Sequence, residues 1–545
     1  MSRFNTRAAR PAVSSPVTTT GERTTTHEGA TGHLRDAKSE LFLLSVSNFV
    51  GQDVFYEKGG QRDDRYTQLI RKFAIEDPEW VAGLLKWLRG DGNMRTAALV
   101  GAAEFTAERL LQEAPGYSRQ VIDSVLQRAD EPGEFLGYWT SKYGRKLPKP
   151  VKRGVADAVQ RLYNERSLLK YDTDSKGYRF GDVLNLVHPS PADDKRWQGD
   201  LFKHALDRRM KRDEPIPDTL RVLQASRTLA ALPVQDRRAY VLDPSLVTSP
   251  GGLAGAGFTW ERLAGWLQGP MDAAAWEALI PSMGLMALAR NLRNFDEAGV
   301  SDAVAAQICA RFADAAQVSK SRMLPFRWWA AYKHAPSLRW AHALEQALGH
   351  SLSNVPALGG RTLILVDRSP SMFPGFGFST PNQSDITLAE QAAVFGSALA
   401  LRAAQPTLVE FGGQSKELGV PKGGSVLRLI EQYGQIGGTD IPTAVKRHWF
   451  AHDRIVIVTD EQTRPGWLPS NMWGHGGMRE TAIDDLVPKT TPVYMWNMAG
   501  YKAGAMPSGR SNRHAMGGLT DQAFRTIPLL EAGRDATWPW EMKAA

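Results

Sequence analysis

The chain has 545 residues, a formal net charge of +8, 42% apolar residues and 23% charged residues. These values predict an ordinary soluble protein of two or three domains. No run of 18 apolar residues occurs, which excludes a membrane-spanning helix. A single cysteine excludes a disulfide framework and favours a reducing compartment, so we expect a cytoplasmic protein.

The first 33 residues are rich in Thr, Ser and Arg and almost devoid of large apolar side chains. Two interpretations are open for residues 1–33. Arginines that come before the first acidic residue of the chain are typical of an organellar transit peptide. An apolar helical stripe is missing, however, which favours a disordered tail.

The basic excess is unevenly distributed. Residues 361–545 hold 18 basic and 17 acidic side chains, whereas residues 141–220 hold 18 basic and 12 acidic ones. The positive charge therefore belongs to the first large domain. Such an excess indicates a polyanionic partner, with nucleic acid as the default expectation.

Residues 34–357 consist of amphipathic helical stretches separated by short loops, with few strand signals. Helix pairs that recur every few tens of residues predict an α-solenoid of HEAT-like hairpins. An unrelated helical bundle is the alternative. The fold class is therefore multidomain, with the solenoid followed by a different unit at 358–545.

In residues 358–545 short apolar strands alternate with helices. Strands are predicted near 362–366, 408–411, 415–418, 454–459 and 492–496, and helices near 387–404, 425–433, 441–450 and 521–531. This alternation predicts a doubly wound α/β domain, with a parallel sheet covered on both faces.

Oxygen-bearing side chains follow two of these strands. Asp367, Ser369 and Ser371 alternate after the first strand, Thr439 lies in a later Gly-Gly-Thr-Asp loop, and Asp460 ends the 454–459 strand. Asp and Ser also crowd ordinary turns, so a turn alone is the alternative. Hydroxyls and carboxylates suit a hard divalent cation, and few charged ligands favour Mg²⁺ or Mn²⁺. The order and spacing resemble the metal-ion-dependent adhesion site of von Willebrand factor A domains.

Two stretches of the helical domain combine basic and aromatic residues, a pattern that suits phosphate neutralisation and base stacking. A solvated basic loop is the alternative for the first stretch, and a helix cap for the histidine of the second. We predict one RNA-binding surface from both. Its residues are Lys142, Arg145, Lys146, Lys149, Lys170, Lys176, Arg179 and His188.

Four segments, YGRKLPKPVKRGVADAV, KY…FGDVLNLVHP, MALARNLRNF and SRMLPFRWWAAYKHA, resemble the TROVE domain of the Ro autoantigen family, the bacterial members above all. That domain precedes a von Willebrand factor A domain in the same order. The resemblance implies that the helices close into a ring, that Y RNA binds its basic outer surface, and that single-stranded 3′ ends of misfolded RNAs enter its central hole.

Carried over by motif, the outer RNA contacts are Lys170 and His188, with Lys176 or Arg179 as the second basic residue. The loop that follows Lys170 holds two acids, Asp172 and Asp174. These acids weaken the attraction of the loop for phosphate. A tRNA-like or otherwise divergent RNA therefore agrees with the sequence as well as a Y RNA does.

Three functions remain open. The first is a non-enzymatic RNA-binding protein for noncoding RNA quality control or scaffolding. It would act as a monomeric ring or ribonucleoprotein, with a 3′-to-5′ exoribonuclease as a candidate partner. The second is an adaptor whose metal site binds an acidic group of a partner protein. The third is a metal-dependent nuclease or phosphotransferase, which the absence of P-loop, HExxH and GxSxG motifs disfavours.

Overall fold

The computed structural model describes residues 13–47, 53–335, 337–353, 355–373, 386–422, 424–469, 478–518, 520 and 524–541. Among them, no helix is long and apolar enough to cross a membrane.

A long helical array follows residue 58. Its helices are α2 (Gly59–Glu76), α3 (Pro78–Arg89), α4 (Arg95–Leu111), α5 (Ser118–Val125), α6 (Glu131–Tyr143), α7 (Lys149–Leu162), α8 (Glu165–Tyr171), α9 (Phe180–Val187), α10 (Trp197–Arg209), α11 (Arg221–Ala230), α12 (Val234–Leu242), α13 (Pro244–Val247), α14 (Trp260–Leu267), α15 (Ala273–Leu279), α16 (Leu285–Arg290), α17 (Leu292–Glu297), α18 (Asp302–Phe312), α19 (Ala315–Ser321), α20 (Pro325–His334) and α21 (Ala341–Ser351).

Local sequence explains where these helices begin and what they bury. Before α3, the Asp77 side chain accepts a hydrogen bond from the Trp80 amide, and Pro78 occupies the first helical position. Such a cap satisfies an amide that the helix itself leaves unbonded. Leu84 and Leu88 recur on one face and are fully buried. The same apolar spacing produces the buried stripes of the array.

The two ends of the array meet. The Asn93 side-chain amide, between α3 and α4, donates to the carbonyl of Arg322, which follows α19, over 2.7 Å. The Arg322 guanidinium in turn lies 3.4 Å from the Gln127 side-chain oxygen. Residues about 200 positions apart are thus in contact, and the predicted solenoid closed into a ring is confirmed.

A six-stranded sheet forms the core of the second unit, in the order β11-β9-β6-β3-β4-β5. All neighbours are parallel except β4 and β5. Its strands are β3 (Leu358–Asp367), β4 (Ala403–Phe411), β5 (Ser415–Leu418), β6 (Arg454–Thr459), β9 (Val493–Asn497) and β11 (Arg513–Gly517). A separate hairpin pairs β7 (Gly466–Pro469) with β8 (Met478–Thr481).

Helices cover both faces of this sheet. They are α22 (Leu388–Arg402), α23 (Val426–Ile430), α24 (Ile441–His448), α25 (Ile483–Leu486) and α26 (Thr526–Glu531). On β3, Ile364 and Val366 join the core that includes α22, whereas Leu363 and Leu365 join the core under α24. Because successive strand side chains alternate between faces, a strand buried on both sides must be apolar throughout. The predicted doubly wound α/β fold is therefore confirmed.

The predicted disordered tail is wrong for the part that the structure describes. Residues 13–35, called the N-terminal arm below, contain β1 (Thr19–Thr25) and β2 (Thr31–Arg35), which pair antiparallel. β2 also pairs with β10 (Ala503–Gly504) of the second unit. Val13 and Val17 are buried. The arm is ordered because its backbone completes a sheet with residues far along the chain; residues 1–12 lie outside the described part.

The helix that follows the arm, α1 (Ala37–Ser47), also packs on the second unit. A Cβ added to Gly517 of β11 would meet the Leu43 and Val46 side chains within about 3 Å, so helix and strand are in direct contact. Residues 13–47 therefore lie with the α/β sheet, although they precede the helical array in sequence.

The α/β unit contacts the array near both of its ends. Trp538 and Trp540, close to the C-terminus, pack against Trp80 of α3 with ring centroids 5.1 and 5.3 Å away. On the other side, Lys333 of α20 pairs with Glu390 of α22 at 2.7 Å. The second unit thus bridges the first and last helices of the ring.

Candidate functional site

The predicted metal ligands lie at the carboxyl edge of the sheet. Asp367 is the last residue of β3, Ser369 and Ser371 follow in a tight 3₁₀ turn, and Asp460 comes directly after β6. β3 and β6 are adjacent and parallel, with Val366 opposite Val458. Chain connections leave β3 toward β4 on one side and return to β6 on the other, so this edge is the crevice in which α/β sheets bind ligands.

Hydrogen bonds draw the turn after β3 together. The Ser369 amide donates to Asp367 Oδ1 over 2.8 Å, and the hydroxyls of Ser369 and Ser371 are 3.1 Å apart. Thr459 Oγ1 donates to Asp367 Oδ2 over 2.5 Å. Thr459 was missed by the sequence reasoning, because as the last residue of an apolar strand it resembles an ordinary β-branched core residue.

Asp460 has few hydrogen-bond partners. Its Oδ1 accepts from the Gln462 amide over 3.0 Å, and the nearby Ser371 hydroxyl lowers its pKa. Its Oδ2 is buried and has no hydrogen bond of normal geometry among the described residues. Buried polar atoms are almost always satisfied. An unsatisfied carboxylate oxygen therefore indicates a group that the protein alone does not supply.

Thr439 lies in the neighbouring loop. It is buried, and its carbonyl accepts from the Arg464 amide over 2.9 Å. The loop is anchored to the turn after β3 because the Ile436 amide donates to the Arg368 carbonyl over 3.0 Å. The structure thus brings Thr439 to the same edge as Asp367 and Asp460, without a hydrogen bond between its side chain and the other four.

Few charges compensate the two carboxylates. Burial raises the pKa of Asp367 above its usual range, although hydrogen bonds from Ser369 and Thr459 and the charge of Arg368 act against it. Burial, followed by the charge of Asp367, raises the pKa of Asp460 as well. No salt bridge within the described residues reaches either group. Two buried acids that repel each other are stabilised by a cation between them.

The donor set fits a hard divalent ion. Two carboxylates and three hydroxyls are oxygen ligands only, which suits Mg²⁺ or Mn²⁺ rather than zinc. A site built from three or more His, Cys, Asp or Glu side chains does not occur in the described part of the chain. If a cation binds here, Asp367, Ser369, Ser371, Thr439 and Asp460, called the cation site below, would hold it.

The N-terminal arm covers the segment that follows Asp460. Thr26 Oγ1 donates to the Thr463 carbonyl over 2.6 Å, and the His27 amide donates to Gln462 Oε1 over 3.0 Å. Arg35 forms a buried ion pair with Glu461. Sequence reasoning missed these contacts; the available signal was Val13 and Val17 within an otherwise polar stretch.

Three of the predicted RNA contacts are already ion-paired within the ring. Lys142 lies 2.8 Å from the buried Glu104, Lys176 lies 3.6 Å from Asp130, and Arg179 lies 2.9 Å from Asp172. Their charges are compensated locally, which weakens their attraction for phosphate. Lys170 and His188 are exposed, and His188 ends α9 in the left-handed conformation.

The remaining predicted cations lie around the start of α7. Together with two neighbours they form what we call the α7 patch: Arg145, Lys146, Lys149, Lys152 and Arg153. None has an acidic partner among the described residues, and the first turn of α7 contains no acid. The partial positive charge of a helix N-terminus adds to theirs.

The patch and the Lys170 region are at opposite ends of α7. This helix has 14 residues and is therefore about 20 Å long. Tyr163, directly after it, stacks on Phe180 at the start of α9. The predicted RNA residues thus lie on several elements, with Lys142 at the end of α6, Lys149 at the start of α7, Lys170 on α8 and His188 after α9.

Comparisons with known proteins agree with this architecture. Residues 256–348 match the model of the TROVE domain. The crystal structure of the Deinococcus radiodurans Ro (RSR) protein is similar over 91% of this chain and 100% of that chain, with a TM-score of 0.59 and 17% sequence identity. No curated protein matches the sequence. At that identity the structural likeness shows the fold.

The TROVE match lies within the helical ring, and the Ro fold extends over both units. The predicted resemblance is therefore confirmed: the chain is similar to the bacterial Ro proteins, with a TROVE-domain match in its ring and an α/β unit that bridges the ring's two ends.

Proposed function

We propose that this protein binds RNA through its helical ring, as a Ro-like protein. The observation that carries the proposal is the α7 patch, in which five cations lie around a helix N-terminus and have no acidic partner among the residues that the structure describes. Such an arrangement attracts phosphates and does not stabilise the fold, because like charges held together repel.

The ligand is a structured small noncoding RNA, Y RNA-like or tRNA-like, on the outer surface of the ring. Single-stranded ends of misfolded or structured RNAs enter the ring itself. In this account the protein acts in the cytoplasm, in noncoding RNA quality control or as a scaffold for processing, together with a 3′-to-5′ exoribonuclease. The Ro fold and the TROVE match support this assignment.

A salt-dependent binding titration tests the proposal. A labelled tRNA is titrated with wild type and with Lys149→Ala at several salt concentrations. Each phosphate contact contributes about one unit to the slope of log affinity against log salt. We expect wild-type binding to weaken steeply as salt rises, and Lys149→Ala to lower the slope by about one.

Lys446→Ala is the matched control. Lys446 is also an exposed lysine on a helix, but it lies on α24 of the α/β unit. The control removes the same charge and should bind as wild type does. If wild type fails to bind tRNA, or if both variants lower the slope equally, specific binding by the α7 patch is contradicted.

We further propose that the cation site holds Mg²⁺ or Mn²⁺ for a structural purpose. Asp367, Asp460 and the hydroxyls of Ser369, Ser371 and Thr439 would hold the ion, whose positive charge would offset the charges of the two carboxylates. No general base or activated nucleophile adjoins these residues in the described part of the chain. We therefore expect labelled RNA to stay intact with protein and Mg²⁺; cleavage that Asp367→Ala abolishes would contradict this.

The adaptor function has less support. It requires an acidic group of a partner to reach the cation site. All five side chains of the site are buried, and the N-terminal arm bonds to the segment directly after Asp460. A partner would have to displace the arm first, whereas the α7 patch is exposed as it stands.

A further inference from the structure

A small cavity lies between α6, α8 and α9. Its volume is about 150 Å³, well below the roughly 300–1000 Å³ of pockets for drug-sized ligands. Tyr163, Tyr171, Tyr178 and Phe180 line it, with Glu134 and Lys176 among its polar side chains. It therefore has room for one small ring system, and aromatic rings surround that space.

The aromatic walls are held in place. Tyr163 stacks on Phe180, with ring centroids 3.7 Å apart and planes within 9°. The Tyr178 and Thr140 hydroxyls are 2.7 Å apart. Gly133 keeps α6 close to Tyr178, because a Cβ there would come within 2.9 Å of the Tyr178 carbonyl oxygen. The rings are thus positioned before any ligand arrives.

One polar atom of the cavity is left unsatisfied. Tyr163 is only 2% exposed, and its hydroxyl has no hydrogen-bond partner among the described residues. A buried hydroxyl without a hydrogen bond lowers the stability of the fold. Buried hydroxyls usually have a partner, so the Tyr163 hydroxyl is available to a ligand in the cavity.

One exposed cation, Lys170, lies beside the cavity. Its ammonium lies 5.1 Å from the centre of the Tyr171 ring. The Arg128 guanidinium lies 5.7 Å from the same ring, but it is ion-paired with Asp130, which also lines the cavity. Lys170 is exposed and has no acidic partner in the described part of the chain. A phosphate backbone near Lys170 would place its bases beside Tyr171.

We propose that the cavity takes one unpaired nucleobase of a bound RNA, inserted beside Tyr171 and Tyr178. This inference rests on the proposed RNA binding and names a base-reading site within it. The Tyr163 hydroxyl hydrogen-bonds the base. Glu134 is already bonded by Arg95 and, at 3.4 Å, by Lys176; since a carboxylate accepts about four hydrogen bonds, it can still accept one from a base. Bases with an exocyclic amine are therefore preferred over uracil.

The test uses three labelled RNA hairpins that differ only at a single-nucleotide bulge: adenosine, uridine or an abasic residue. Affinity for the full-length protein is measured by fluorescence anisotropy at fixed salt, so that the phosphate contribution is the same. We expect wild type to prefer the adenosine bulge over the abasic one by about 5- to 150-fold, the contribution of stacking one base.

Two variants test whether the preference for the adenosine bulge arises in the cavity. Tyr171→Ala, at a half-buried position, should bring the preference close to one. Tyr163→Phe removes only the unbonded hydroxyl, so it should leave the thermal unfolding midpoint unchanged or raised while it lowers the preference. Tyr117→Ala is the control, because Tyr117 also lies by an arginine, Arg109, at 5.2 Å, but outside the cavity.

Each outcome supports or overturns the inference. Equal affinity for the adenosine and abasic hairpins overturns the inference and leaves the proposed RNA binding intact. A preference that survives both Tyr171→Ala and Tyr163→Phe also overturns it. Equal affinity for adenosine and uridine bulges overturns the role of Glu134. Failure of wild type to bind any hairpin removes the proposed function and this inference together.

Discussion

Buried carboxylates in the ring and at the sheet edge have opposite surroundings. In the ring, Glu104 lies at 0% side-chain exposure, with Arg71 and Lys142 within 2.8 Å. Burial alone would raise its pKa, but hydrogen bonds from Lys142 and two tyrosines outweigh burial and lower that pKa. At the sheet edge, Asp367 and Asp460 are equally buried, and their pKa values are raised.

The difference shows which buried charges the chain neutralises with its own side chains. A buried acid that its own arginines and lysines surround is a structural element of the fold. A pair of buried acids without such partners requires a cation from outside. The α7 patch differs in sign and in burial: four of its five cations are exposed, and none has an acidic partner in the described part of the chain. Together they attract an anion.

The largest effect is expected from Glu104→Gln, which leaves Arg71 and Lys142 without their buried partner. Glu104 accepts hydrogen bonds from Arg71, Lys142, Tyr138 and Tyr143. Since a hydrogen bond to a charged group contributes about 1.5–3 kcal/mol, weakening this set should destabilise the protein by about 3 kcal/mol. Chemical denaturation with and without EDTA measures it. The control is Glu108→Gln, one turn along α4 and less buried, which should change stability by no more than about 0.5 kcal/mol. Equal losses of stability in Glu104→Gln and Glu108→Gln would contradict the structural role of the buried Glu104.

The sheet should lose stability in acid through His514. Its ring bonds Ser15 of the N-terminal arm at 2.9 Å. Burial, then Arg513, lowers its pKa to about 4 from 6.5. Because the unfolded state takes up the proton first, stability is present above pH 6.5 and is lost as pH falls to 4, by about 3 kcal/mol.

The acid effect is isolated by comparing wild type with His514→Gln in thermal unfolding between pH 7 and 4.5. The variant should lose less stability than wild type over this interval. The same pH dependence for both proteins would show that His514 is not kept neutral by its burial.

Mg²⁺ should stabilise the protein through the cation site. An ion at 100 times its dissociation constant adds about 2.7 kcal/mol to the free energy of unfolding. We expect the unfolding midpoint to rise with Mg²⁺ in wild type and in the control Glu417→Gln, an exposed acid on β5. Asp460→Asn should abolish the rise. A rise that persists in Asp460→Asn would place the ion elsewhere.

The smallest effect is expected from Lys142→Ala on RNA binding. Its ammonium is engaged by Glu104, so the slope of log affinity against log salt should not change. Lys149→Ala should lower that slope by about one. A reduced slope for Lys142→Ala would mean that RNA competes successfully with Glu104.

Local pattern predicted most of the sheet and the place of two acidic side chains at its edge. The strand expected at 454–459 is β6 to the residue, and the helix expected at 387–404 is α22 with its ends trimmed by two residues on the C-terminal side and one on the N-terminal side. These elements are apolar runs or stripes, so their burial can be predicted from neighbouring residues of the sequence. Asp367 and Asp460 follow such runs, and parallel pairing brings their ends together.

The N-terminal arm could not be predicted in the same way. Its strands are polar, and their partners, such as Ala503 and Thr463, are more than 400 residues away. Ion pairing was equally hidden: Lys142 and Lys149 look alike in sequence, but only the fold places Glu104 beside Lys142. Tertiary context, not local pattern, therefore separates structural cations from those free to bind RNA.

The central claim is that RNA binds the ring at cations that the fold leaves uncompensated. Ultraviolet crosslinking of the full-length protein to tRNA, followed by mass spectrometry of the crosslinked peptides, tests it most directly. The account predicts crosslinks within residues 143–153 and at Tyr171 or Tyr178, next to the α7 patch and the cavity. Crosslinks confined to the α/β unit, or none above those of a Lys149→Ala, Lys152→Ala double variant, would contradict it.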